Sequence, residues 1–161
     1  MKNAFNFSRE IVLSITLLLS SFVIMSGSCD KDDNNTNTDV YTLSANASGA
    51  QEFPANTSTA TGTLTGTYNK STNKLTYAIA WTGLATTSSA LHFHGPALPG
   101  ANASPVVTLT ITTPGTTGGA TGEVTITEEQ EADMLAGRWY WNVHNATFPG
   151  GEVRGQVSAT L

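Results

Sequence analysis

One cysteine, Cys29, stands in 161 residues, so no disulfide can form within the chain and the fold rests on its hydrophobic core alone. Charge is scarce too: Lys, Arg, Asp and Glu make up 12% of the chain, with seven basic side chains against twelve acidic ones. A surface this poor in Lys and Arg excludes nucleic acid as a partner, because holding phosphates takes clustered positive charge. The longest apolar run, residues 11–25, falls short of the roughly 20 residues of a membrane-spanning helix. A Gly-x-Ser-x-Gly elbow is missing, and Gly118-Gly119-Ala120-Thr121-Gly122 lacks the Lys and following helix of a phosphate loop, which leaves serine hydrolysis and nucleotide chemistry without support.

What is present begins with a leader. Lys2 and Arg9 precede the apolar run, and small residues Ser26-Gly27-Ser28 lead into Cys29, the layout of a secretory signal peptide over residues 1–28. Ser-Gly-Ser-Cys resembles the bacterial lipobox, which implies lipidation of Cys29 and a membrane partner through that lipid. The following Cys-Asp-Lys-Asp-Asp resembles the surface-export signals of Bacteroidota lipoproteins, which implies an extracytoplasmic, outer-membrane and surface-exposed location. Residues 30–39 contain no apolar side chain, so residues 29–39 read as a lipidated cysteine and a flexible acidic, Asn/Thr-rich tether. Beyond the leader, five basic residues face eleven acidic ones, and Thr, Ser and Asn carry the polarity.

Residues 40–161 alternate apolar and polar side chains in short runs. Strands are expected near 40–45, 60–68, 74–81, 89–94, 106–112, 122–126, 138–144 and 152–160, separated by Asn-, Gly- and Pro-rich turns. About eight such strands predict an all-β, antiparallel Greek-key β-sandwich, immunoglobulin-like or superoxide-dismutase-like. One short helix interrupts them. Thr127 with Gln130 has capping-box spacing, Glu128, Glu129 and Glu131 suit the positive helix end, Gly137 ends the turn, and Ala132, Leu135 and Ala136 supply an apolar face.

The last two strands carry the densest pattern. In strand phase Tyr140, Asn142 and His144 share one face while Trp139, Trp141 and Val143 share the other. After the loop, Glu152, Arg154 and Gln156 fall together. The run Asn142-Val143-His144, then Pro149-Gly150-Gly151-Glu152-Val153-Arg154-Gly155-Gln156, resembles the closing motif of the CHRD (chordin) domain family. His92-Phe93-His94-Gly95-Pro96 is similar to that family's His-x-His-Gly-Pro segment, and Gln51-Glu52-Phe53-Pro54 with Ala60-Thr61-Gly62 to its opening. The resemblance spans nearly all of residues 40–161. It implies a fold and a domain, with Asn142, Gly150, Gly151, Glu152, Arg154 and Gln156 as a structural motif; the growth-factor antagonism of multidomain animal chordins does not transfer to one tethered domain.

The three histidines all lie in these motifs. His92 and His94 project from one strand face, about 7 Å apart at the backbone. With His144 alongside they form a three-imidazole site for Cu or Zn, leaving one position open, with Glu152 as a fourth ligand or outer group. The alternative is structural, each imidazole bonding a loop carbonyl. A Phe-His-x-His strand is also similar to the copper strand of the copper/zinc superoxide dismutases, but the additional histidines, Asp loop and disulfide of that family are missing. Glu152 and Arg154 read as a buried ion pair, or Arg154 pairs with Glu52.

Three functions are in play. The leading one is a noncatalytic, surface-anchored domain that binds a protein or glycan ligand or mediates adhesion. The second is a small mononuclear copper or zinc protein using His92, His94 and His144. The third is a glycan-binding module with Trp139, Trp141 and Trp81 as its platform, set against their filling the core. No catalytic residue is assigned.

Overall fold

In a computed structural model, residues 39–161 are described; the leader, Cys29 and most of the tether lie outside them. Alternation writes the first sheet layer. In β2 (Thr61–Asn69) and β3 (Lys74–Thr82) every second residue turns inward, so that Leu64 sits opposite Ile79 and Tyr68 opposite Leu75. β1 (Val40–Ser48) pairs with β2 along its whole length. The outward positions of the three strands are mostly Thr, Ser, Asn and Ala, which fit a pleated, solvated face without charge.

The other strands are β4 (Ser88–His94), β5 (Pro105–Thr108), β6 (Gly118–Thr125), β7 (Tyr140–Asn145), β8 (Val153–Gln156) and β9 (Ser158–Thr160). They form one antiparallel sheet in the order β5-β4-β7-β8-β1-β2-β3-β6, with β9 on β1. The sheet curls so that its inward faces share one core, an all-β sandwich architecture as expected. The expected last strand divides in two. Its first part pairs with β7, Val157 then gives its N–H to the Trp139 carbonyl at 2.8 Å, and the remainder pairs with Thr42–Ser44 of β1. The strand therefore joins the two halves of the sheet.

Several boundaries differ from the sequence reading, β1 running on to Ser48 among them. β6 begins at Gly118, because Gly118 and Gly119 pair with Trp81 and Ala80 rather than turning, and β5 stops at Thr108. Pro105 opens that strand at the sheet edge, where a missing N–H costs no ladder bond.

α1 (Glu128–Leu135) starts with the expected reciprocal capping box: Gln130 N–H donates to Thr127 Oγ1 and Thr127 N–H to Gln130 Oε1. It ends in a Schellman pair, with Gly137 N–H on Met134 O and Arg138 N–H on Asp133 O. Of the expected apolar face only Leu135 packs against the core. Ala132 and Ala136 are exposed, and Met134 enters the core while Glu131 accepts from the buried Tyr68 hydroxyl at 2.8 Å.

Candidate metal centre

β4 lies beside β7 with His92 opposite Asn142, His94 opposite Tyr140, and Ala90 opposite His144. Leu91, Phe93, Trp141 and Val143 are the inward set, so the intervening polar residues of both strands occupy the opposite face. On that face His144 is diagonal to His92, within reach of a side chain.

The three imidazoles converge. Each offers a nitrogen, and the three nitrogens lie within 4.8 Å of one another. Nδ1 of His92 is 3.0 Å from Nε2 of His144. The ring centroids of His92 and His94 are 5.4 Å apart, and those of His94 and His144 6.1 Å. Two of the rings have their tautomer set by a backbone carbonyl, which can only accept. Nδ1–H of His94 donates to Ala103 O at 2.9 Å, and Nδ1–H of His144 to Pro149 O at 3.0 Å. Both therefore present an Nε2 lone pair, the arrangement that metal-ligating histidines adopt. Nε2 of His94 is buried and has no hydrogen-bond partner.

Electrostatics keep these rings neutral. Burial lowers the pKa of all three from the ordinary 6.5, offset at His94 by the Ala103 carbonyl and at His144 by the Pro149 carbonyl; neighbouring imidazoles lower both further. Neutral imidazole is the form that binds a metal.

His94 stacks on Tyr140, centroids 4.8 Å apart and planes 6° from parallel. Arg154 lies over the other part of that stack, its Cζ 3.5 Å from the Tyr140 centroid. The Arg154 guanidinium donates to the Ala101 and Leu98 carbonyls, Asn102 Oδ1 and Gln156 Oε1. Among the described residues no carboxylate makes a salt bridge with it, so the expected Glu152–Arg154 ion pair is absent. Backbone carbonyls of the 95–104 connection have taken that role.

Glu152 goes elsewhere for a physical reason. Its carboxylate accepts from Ser58 Oγ at 2.6 Å, from Ala85 N–H at 3.0 Å and from Asn145 Nδ2. Those three donors satisfy a group that is 1% exposed, and the convergent cluster contains the histidines without it. Glu52 is the acid nearer the centre. Asn142 Nδ2 faces Glu52 Oε1 at 3.5 Å, and burial pushes the Glu52 carboxyl up to about 7, opposed by that Asn142 contact and by Arg154.

The motif glycines answer to close approach. Gly151 has φ +124°, and a Cβ there would run into Glu52 Oε1 and Asn142 Nδ2; a Cβ on Gly95 would meet Trp139 Nε1 at 2.8 Å. Gln156 donates to the Ala97 and Gly137 carbonyls, and the Gly150 carbonyl accepts from Asn142. The tryptophans fill the core, as the reading set against a glycan platform has it: Trp81, Trp139 and Trp141 are all core residues.

The CHRD domain family matches residues 43–157. The chain belongs to that family. The match takes in the opening, His-x-His-Gly-Pro and closing motifs together, and with them every strand from β2 to β8. No curated protein and no solved structure matches the chain. Within this CHRD domain, sequence alone did not reveal the stacked Tyr140, the Ala103 and Pro149 carbonyls that orient the imidazoles, or the Ser58–Ala85–Asn145 cradle. Tyr140 carried a signal, since it shares strand phase with Asn142 and His144. The carbonyls and the cradle carried none, because their donors and acceptors lie largely in connections, such as Ala103, Pro149, Ser58 and Ala85, whose path strand alternation does not fix.

Proposed function

We propose that this CHRD domain is a noncatalytic metal-binding module, holding one Zn²⁺ or Cu²⁺ through His92, His94 and His144, displayed outside the cytoplasm on a lipid anchor at Cys29. The observation that carries the metal reading is the pair of backbone-fixed tautomers in a cluster whose three nitrogens lie within 4.8 Å. In the metal-free protein Nε2 of His144 accepts from Nδ1–H of His92, while Nε2 of His94 has no partner, which a cation would supply. Imidazole suits Zn²⁺ and Cu²⁺ best among available divalent ions. Among the described residues no carboxylate or thiol joins the cluster to act as base or nucleophile, which favours holding over transforming.

Full-length protein purified without a histidine tag is expected to take up one equivalent of Zn²⁺ or Cu²⁺ in titration calorimetry, and His94→Ala to abolish that uptake with the fold intact by far-UV circular dichroism. Uptake unaffected by His94→Ala would remove the reading. The anchor rests on the Ser26-Gly27-Ser28-Cys29 pattern; Cys29→Ala should leave the membrane fraction, and processed variant that stays membrane-bound would disprove the lipid.

A further inference from the structure

We infer that Asn142 supplies a fourth ligand to this centre, its side-chain oxygen completing a three-nitrogen, one-oxygen set for a divalent cation; the inference rests on the three-histidine reading above. Asn142 lies directly opposite His92 on the neighbouring strand, two residues from His144 and on the same strand face. It is 2% exposed, so every polar atom of its amide needs a partner inside the protein.

The orientation of that amide follows from its neighbours. Nδ2 points toward the Gly150 carbonyl at 3.4 Å and Glu52 Oε1 at 3.5 Å, and a carbonyl can only accept, so the nitrogen belongs on that side. Oδ1 is then directed the other way, buried and without a hydrogen-bond partner. Nε2 of His94 is in the same condition. Nδ1 of that ring carries the proton that bonds Ala103, so Nε2 is left as an acceptor. Two buried acceptors on the same face of neighbouring strands, each with no donor, cost free energy that a cation bound by both would recover.

The surroundings hold this oxygen in place. Gly151 leaves room for Glu52 and the Asn142 nitrogen to meet, and the Gly150 carbonyl fixes the second hydrogen of the amide. A set of this kind has a chemical preference. An amide oxygen is a hard donor, so Zn²⁺, Cu²⁺ and Co²⁺ are favoured over Cu⁺, which seeks soft or purely nitrogen ligands. With all four ligands drawn from the chain the site is closed, as structural and carrier sites are.

Co²⁺ provides the probe, since its visible spectrum reports ligand number. In the full-length protein without a tag, Asn142→Asp should tighten Co²⁺ binding and keep the four-coordinate spectrum. Asn142→Leu should weaken it by at least about tenfold and shift the spectrum, while Cu⁺ affinity stays level across all three proteins. Wild-type Co²⁺ uptake that depends on His94, with neither Asn142 variant altering affinity or spectrum, would overturn this inference and leave the three-histidine site standing. No uptake of Co²⁺, Zn²⁺ or Cu²⁺ by wild type would remove both. If Asn142→Leu fails to fold, Asn142→Asp decides alone: tighter binding supports the fourth ligand and unchanged binding overturns it.

Discussion

Glu152 and Glu52 are both buried acids, and their partners give them opposite consequences. Glu152 meets only donors, so Glu152→Gln would set an amide N–H₂ against Ala85 N–H or Asn145 Nδ2 and cost about 1–3 kcal/mol in urea unfolding. Glu52 has too few donors. Its folded pKa of about 7 stands above the ordinary 4.5, so the folded state holds a proton there that the unfolded chain has released. Stability should therefore fall as pH rises from about 4.5 through 7, by up to roughly 3 kcal/mol, and Glu52→Gln should flatten that slope and stabilise the protein at pH 8. The histidines act in the other direction. Their folded pKa values lie below 6.5, so metal-free protein loses stability as pH falls beneath that value, when the unfolded chain protonates first. Urea midpoints across pH 4.5–8.5 should then pass through a maximum, and Glu52→Gln should remove only its alkaline limb. At this scale the sequence disclosed the His92–His94 pair through period two. It could not place His144, whose approach depends on strand pairing, nor separate Glu152 from Glu52, because both lie beside turns that break strand phase.

Strands and helix were readable where a local rule acts alone. The capping box at Thr127 and Gln130 is such a case, and Thr127→Ala should lower stability by about 1 kcal/mol in thermal unfolding, through the loss of one orphan-donor cap. The helix's inward face was misread because propensity and spacing favoured alanines, whereas the long side chain of Met134 fills the core and Glu131 finds the Tyr68 hydroxyl. The division of the last strand was equally hidden, since Val157 keeps the alternation while its hydrogen bond changes partner. The turn between β7 and β8 is the most exacting element. Gly151→Ala would force an alanine to φ +124° and drive its Cβ into the Glu52 and Asn142 side chains, so a loss of more than about 1 kcal/mol is expected, with weaker Zn²⁺ uptake as its companion. Unchanged uptake in a destabilised Gly151→Ala protein would show that the turn serves the fold alone.

As a whole molecule, a cysteine-poor chain has to stabilise a two-layer fold through packing, and its core is one continuous cluster from Leu43 to Val157. Fold class was legible because period-two alternation and turn residues recur along the entire domain. The single curled sheet was not, because its order depends on pairings between strands far apart in the chain, such as β3 with β6 and β8 with β1. A bound ion would add to this stability by mass action. At a free Zn²⁺ concentration a hundredfold above the dissociation constant, unfolding should require about 2.7 kcal/mol more, and His94→Ala should lose that increment entirely.

Pro149 O steers the His144 ring and Ala103 O the His94 ring, and these carbonyls belong to separate connections, one after β7 and one before β5. Loading the centre would cross-link those two loops through their imidazoles. Deuterium exchange should then slow at residues 101–104 and 146–151 together, on the same dose curve, making a pair of distant loops behave as a single latch.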